Sequence, residues 1–269
     1  MFLDFTKMNG AGNDFILVDN RPLQFKPTRE QIVRLCDRHR GVGADGLILW
    51  VPCASGKAEW AWMFYNSDGS TGEMCGNGAR CFARFVQARS GKQEGLTFET
   101  EAGVIRAEFS KDLVTVNLTE PRELHLGQTI PLAGGPATIH SLNTGVPHAV
   151  WFVPDADKAM VQQLGAEIRS HPHFGPRGTN VNFAQVLGPG LIRVRTFERG
   201  VEGETLACGT GVTATALIAS QVHRFDSPVA VRVLGGEELQ VSFRRQGERF
   251  VDVRLTGPAE FVFTGRVEL

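Results

Sequence analysis

The sequence predicts an α+β fold built as two pseudo-symmetric lobes. Three observations carry that expectation: a dense series of short strand-like runs, only a few helical segments, and an ordered set of motifs that recurs at one spacing. Short alternating or β-branched runs read as strands in extensive mixed sheet. In order they are FILVD, GLILWV, AWMFYN, LTFET, VIRAEF, VTVNL, AVWFV, NVNFAQV, IRVRTF, VAVRVL, LQVSF, FVDVRL and EFVFTG.

Helices are fewer. Thr28 with Gln31 forms a capping-box signature ahead of Ile32, Leu35, Cys36 and His39, with Gly41 as the stop. A second helix is expected from near Asp157, with Met160, Val161, Leu164 and Ile168 on one face. Two more follow glycine turns, at about 78–90 and 211–222, and the last is small or apolar nearly all round, so it should be buried on every side.

The duplication rests on four matches in one order. EMCGNGARC (73–81) and LACGTGVTA (206–214) place Cys75 and Cys208 133 residues apart. GNDFILVD parallels VPHAVWFVPD at an offset of 134, while RGVGADGLI with RGTNVNFAQ, and LTEP with LTGP, are each offset by 137. The period is far longer than that of a solenoid repeat. The lobes are therefore expected at 1–122 plus 257–269, carrying Cys75, and at 123–256, carrying Cys208, joined near LGQTIPLAGGPATI (126–139).

Composition narrows the partners. With 269 residues and 42% hydrophobic content the chain can bury a large core. A formal charge of −1 with scattered cations lacks the basic field that nucleic acid or an anionic membrane demands, so a small molecule is the expected partner. The N-terminus lacks the apolar core of a secretory signal, no apolar run reaches spanning length, and five cysteines, an odd number, argue against a disulfide framework. A cytoplasmic protein is expected. Cys36 and His39, spaced i,i+3, could share a metal only with further ligands that the sequence does not offer, and no C-x-x-C occurs.

Helices starting at Gly76 and Gly209 would leave backbone N–H groups open at the positive end of a dipole, a cradle for a carboxylate or phosphate. A cysteine at that end has its thiolate favoured. Two such motifs could place a sulfur on each side of one carbon, which suits inversion of a stereocentre through its anion. Other readings stay open at this point. GTGVTA fits a dinucleotide fingerprint but lacks the βαβ context. Cys75 or Cys208 with His148 could serve a hydrolase, leaving one motif unexplained. A non-catalytic amino-acid-binding protein would use the cradles without needing matched cysteines.

With MNGAGNDF, GVGADGL, YNSDG, EMCGNGARC, TGVPHAV, TNVNF and ERGVEGETLACGTG in this order, the chain resembles the diaminopimelate epimerases over almost its whole length. The resemblance implies a cofactor-independent enzyme interconverting LL- and meso-2,6-diaminopimelate in lysine and peptidoglycan precursor synthesis. Each lobe would be a mixed sheet wrapped around a central helix, and the molecule a homodimer without metal or cofactor. Cys75 and Cys208 would be the paired acid and base, assisted by His148 and Glu198. Gly76, Asn77, Gly209 and Thr210 would hold the reacting carboxylate, and Glu198 with the backbone at Arg199 the reacting amino group. Asn13, Asn66, Asn180 and the Arg199 side chain would bind substrate, several of them at its unchanged end. Val146 stands where the family often has asparagine and Ala44 where many members carry glutamine, so the distal contacts are the least defined. A racemase of another amino acid on the same fold is the alternative.

Overall fold

A computed structural model describes residues 2–247 and 249–269. The chain divides into two compact units, Met1–Asn117 with Gly257–Leu269, and Leu118–Thr256. The sequence reading set the first changeover at 122/123 rather than at Asn117/Leu118.

The first unit contains β1 (Phe2–Gly10), β2 (Asn13–Asp19), α1 (Arg29–Cys36), β3 (Gly46–Val51), β4 (Trp60–Asn66), α2 (Gly76–Ser90), β5 (Gly95–Thr100), β6 (Gly103–Ser110) and β7 (Leu113–Asn117). The second contains β8 (Arg122–Leu132), β9 (Gly135–Asn143), β10 (Pro147–Phe152), α3 (Val161–Arg169), β11 (Asn180–Gly188), β12 (Leu191–Glu198), β13 (Gly203–Thr205), α4 (Gly209–Val222), β14 (Val229–Arg232), β15 (Glu238–Gln246) and β16 (Arg249–Pro258). The last strand, β17 (Glu260–Glu268), returns to the first unit and pairs antiparallel with β1.

Strand pairing exposes the duplication more plainly than the residues do. From β17 through β1 to β7, successive pairs run antiparallel, antiparallel, parallel, antiparallel, parallel, antiparallel, antiparallel. From β8 through β12 and then β14 to β16 the same series recurs, with β13 as a short addition to β12. Parallel neighbours need a crossover. The four crossovers are the four helices, with α1 and α3 filling one role and α2 and α4 the other.

The crossover helices explain the burial. β3 is buried at all six positions because both faces are covered. Leu47, Leu49 and Val51 join Ile32, Leu35 and Cys36 of α1 in one core, while Trp50 meets Phe85 of α2 edge to face at 6.1 Å. Helix α2 lies against β1, β2, β3, β5, β6 and β7, and α4 against β9 to β12, β14 and β15. Each is thus the central helix of its own unit. For α4 the all-round apolar sequence is what this requires, and its residues from Gly211 to Ser220 are all buried.

Several boundaries differ from the sequence reading. Segment 126–139 is no joint: it belongs to the β8–β9 hairpin, with Leu132 opposite Gly135. The capping box of α1 is present, but the helix ends at Cys36, because the Asp37 carboxylate accepts from the His39 and Arg40 N–H groups and draws the chain into a turn. Cys36 and His39 therefore do not share a helix. Helix α3 starts at Val161 instead of Asp157, whose carboxylate is engaged by Arg193. Helices α2 and α4 begin at Gly76 and Gly209, two residues earlier than the estimates of 78 and 211.

Candidate active site

In the first unit β2 and β3 run parallel and β4 antiparallel, so the starts of β2 and β3 and the end of β4 lie at one end of the sheet. Asn13 opens β2, Asp45 precedes β3, and Asn66 closes β4 opposite Gly46. Helix α2 starts with Cys75 as its N-cap, in extended conformation (φ −139°, ψ 118°), its Sγ accepting from the Gly78 N–H at 3.4 Å. The N–H groups of Gly76 and Asn77 have no acceptor within the helix. That first turn is packed on the β1–β2 hairpin: a Cβ on Gly10 would lie 2.7 Å from the Asn77 carbonyl oxygen, so only glycine fits.

Below Cys75 runs a polarised hydrogen-bond chain. The Arg80 guanidinium donates to Asn77 Oδ1 at 2.9 Å, Asn77 Nδ2 donates to Asn13 Oδ1 at 2.6 Å, and Asn13 Nδ2 donates to Asp45 Oδ2 at 3.0 Å. Arginine only donates and a carboxylate only accepts, so the two ends fix the orientation of both amides. Asp45 is held by Arg38 at 2.8 Å, and Arg38 also forks onto both oxygens of Asp14. Burial alone would raise the Asp14 carboxyl, yet hydrogen bonds from Arg38 and Lys7 outweigh it and hold it below the usual carboxylate range. Asn66 is tied elsewhere, its Nδ2 donating to the Ser70 hydroxyl at 3.0 Å.

The second unit repeats the plan with different side chains. His148 lies at the start of β10 opposite Asn180 at the start of β11, and Glu198 closes β12. Cys208 is the extended N-cap of α4 and is 7% exposed. Its Sγ caps no backbone N–H and lies 3.5 Å from the Thr210 hydroxyl. Asn180 accepts from the Arg199 N–H at 2.9 Å and donates to the Pro147 carbonyl. The Arg199 guanidinium donates to the Arg177 carbonyl, and the Thr205 hydroxyl donates to Glu198 at 2.9 Å. None of Asn13, Asn66 and Asn180 has a positive φ, so none serves as a left-handed turn residue, although Asn66 opens a turn by accepting from the Gly69 N–H at 2.9 Å.

His148 is fully buried, and its Nε2 has no hydrogen-bond partner. Asn182 Nδ2 donates to the Ala149 carbonyl at 2.9 Å and faces His148 Nδ1 at 3.2 Å, while Asn182 Oδ1 accepts from the Thr196 hydroxyl. Nδ1 must then accept, which puts the proton of the neutral ring on Nε2. Burial, helped by the nearby Arg199 charge, pulls this imidazole down to about 3, so it is neutral at physiological pH. An orphaned buried donor is costly in a core, and His148 shares this state with the indole nitrogens of Trp50, Trp60 and Trp62.

Sequence reasoning missed Arg80, Asp45, Asp14, Arg38, Asn182 and Thr196. Arg80 had a visible signal, a charge among small and apolar helix positions. Ala44 packs into the first unit's core beside Leu35 and Cys36, and its methyl group offers no polar contact. Cys36 and Cys81 are buried thiols that burial pushes up to about 12, which leaves them as packing. Among the described residues no group of three His, Cys, Asp or Glu side chains could hold a metal ion, and no helix is long and apolar enough to cross a membrane.

The fold, a duplicated unit of sheet and helices, is shared with proteins of known structure. Solved structures of the same fold include a PhzF-family phenazine biosynthesis protein of Bacillus anthracis (TM-score 0.75, 14% identity, all of both chains) and a hydroxyproline epimerase of Agrobacterium vitis (TM-score 0.72, 16% identity, 99% of this chain and 92% of that one). The diaminopimelate epimerase family model matches residues 5–124 and 140–262. Diaminopimelate epimerases of Aquifex aeolicus (43% identity, 98% of each chain) and Chlorobaculum tepidum (40% identity, 97% of this chain and all of that one) are similar over their full lengths. The chain belongs to the diaminopimelate epimerase family and is an isomerase.

Proposed function

We propose that the protein is a cofactor-independent epimerase that interconverts LL- and meso-2,6-diaminopimelate, with Cys75 and Cys208 as its acid-base pair. The observation that carries the reading is one motif used twice: in each unit a cysteine occupies the N-cap position of a largely buried helix whose first turn is rich in glycine. Family membership and the names of the similar enzymes supply the substrate.

In this reaction one thiolate takes the α-proton and the other sulfur, as thiol, delivers a proton to the opposite face, so the resting forms exchange after each turnover. The α-proton is a far weaker acid than a thiol, and each unit of mismatch costs ~1.4 kcal/mol. A positioned base contributes ~10²–10⁴-fold. The rest comes from donors aimed at the carboxylate as charge builds on it, here the first-turn N–H groups of Gly76, Asn77, Gly209 and Thr210. Glu198 and the backbone at Arg199 take the reacting amino group. Asn13, Asn66, Asn180 and the Arg199 side chain read the rest of the substrate, without help from Ala44 or from half-buried Val146. His148, as a neutral Nε2–H donor, stabilises developing negative charge rather than abstracting a proton.

A cytoplasmic homodimer serving lysine and peptidoglycan precursor synthesis completes the reading. Exposed Phe2 on β1 and Phe261, Val262 and Phe263 on β17, all in the first unit, support self-association. Purified protein with no added cofactor, given LL-diaminopimelate or proline in deuterium oxide, tests the assignment. Deuterium at the α-carbon of diaminopimelate is expected. Exchange with proline alone would move the assignment to another amino acid, and binding without exchange would end it.

A further inference from the structure

Arg80 is a buried cation that the motif reading leaves without a role. Its side chain is wholly enclosed, and among the described residues no carboxylate pairs with it. Its donors go to neutral oxygens: Asn77 Oδ1 at 2.9 Å, the Pro258 carbonyl at 3.2 Å, the Gly76 carbonyl at 3.3 Å and the Gly10 carbonyl at 3.4 Å. Enclosing an ion without a counter-ion is expensive, and structure alone does not require it, since a neutral donor could serve the same carbonyls. Burial lowers this guanidinium to about 10, so it keeps its charge at neutral pH.

Two of those acceptors, Gly76 and Asn77, belong to the first turn of α2, directly after Cys75, so the fixed charge sits at the end of the helix that already carries the positive pole. The other ionisable groups around it do not cancel it. Cys81 on α2 is held neutral by burial, Asp14 on β2 is engaged by Lys7 on β1 and by Arg38, and Glu260 on β17 acts on Cys81 only through space. The second unit lacks this device. Five residues past Cys208, at the place of Arg80, stands Thr213, whose hydroxyl donates to the Gly209 carbonyl at 2.8 Å.

We propose that Arg80 is a positioning residue for the reaction, a fixed buried charge that holds Cys75 as the thiolate, so that the unliganded enzyme rests with its base at α2 and its acid at α4. The inference rests on the reading of the two cysteines as acid and base, but its test needs no substrate. Alkylation of the intact protein by iodoacetamide, followed at each cysteine by mass spectrometry across pH, gives the midpoint for thiolate formation at each site. In the wild-type protein the Cys75 midpoint lies below that of Cys208. Arg80→Gln slows Cys75 alkylation roughly tenfold at neutral pH, the effect of removing one nearby charge. Arg80→Lys, whose ammonium is readily deprotonated in so enclosed a site, restores the rate only in part, and Cys208 is unmoved in both. Circular dichroism reports whether each variant is folded. A wild-type Cys208 midpoint at or below that of Cys75 overturns the proposal even if no variant folds, as does an unchanged Cys75 profile in folded Arg80→Gln. Failure here with deuterium exchange intact would leave the epimerase reading standing.

Discussion

Nδ1 of His148 lies 3.2 Å from the side-chain nitrogen of Asn182, and that same nitrogen donates to the Ala149 carbonyl at 2.9 Å. An amide nitrogen tied to a carbonyl cannot accept, so the neutral imidazole carries its proton on Nε2. Nitrogen-15 NMR of the imidazole at neutral pH should show a pyridine-like Nδ1 and a protonated Nε2. Asn182→Asp places an acceptor beside Nδ1 and should reverse the pattern. A protonated Nδ1 in the wild-type protein would remove the proposed donor role of His148.

The same burial makes stability depend on pH. The unfolded chain takes up a proton at this histidine near pH 6.5, the folded chain only near 3. The contribution is therefore complete above about pH 6.5 and falls by about 1.4 kcal/mol per unit as the pH drops below it, until about pH 3. Urea unfolding at about pH 7 and pH 5 should show the wild type losing about 2 kcal/mol more than His148→Gln. Equal losses would mean that the ring is protonated in the folded state.

Gly211 sits in the first turn of α4 against the His148 support. A Cβ there would lie 2.3 Å from Asn182 Oδ1 and 3.3 Å from His148 Cε1, both belonging to side chains with no exposed surface. Gly211→Ala should destabilise the fold by about 1–3 kcal/mol, as overpacking does in a dense core, even though alanine favours helix. A thermal melt at or above the wild-type midpoint would show that the helix start can shift without cost.

Asn77 links Arg80 to Asn13. Asn77→Ala removes an acceptor from the buried guanidinium and the donor to Asn13 Oδ1 at once, and the expected loss is about 1–3 kcal/mol in urea unfolding. A neutral result would show that water replaces the amide.

Most of the strands were legible because their faces differ in solvent contact. Each of the thirteen runs named from the sequence marks a strand, with VTVNL, AVWFV and VAVRVL overrunning its end by one or two residues, and the buried pattern of β3 was visible as GLILWV. The missed elements obscure their own signal. β8 and β9 are broken by Gly127, Gly134, Gly135 and two prolines, and β8 is exposed over most of its length, so alternation is lost and a hairpin reads as a linker. β1 carries Asp4, Thr6 and Lys7, the last two buried by Arg89 and Asp14, partners that composition cannot show. At the site, the glycine-cysteine helix starts were legible because local chemistry demands them. The Arg80-to-Asp45 chain was not, since it joins residues from three separate segments, α2, the start of β2 and the approach to β3.

The central claim is that two sulfurs, one from each unit, work on a single α-carbon. Cys75→Ala and Cys208→Ala, each checked for folding and assayed on LL-diaminopimelate, test it most directly. Both should lose epimerisation by at least about 10²–10⁴-fold, the contribution of a positioned proton-transfer group. If either folded variant keeps wild-type turnover, the two-sulfur account is contradicted.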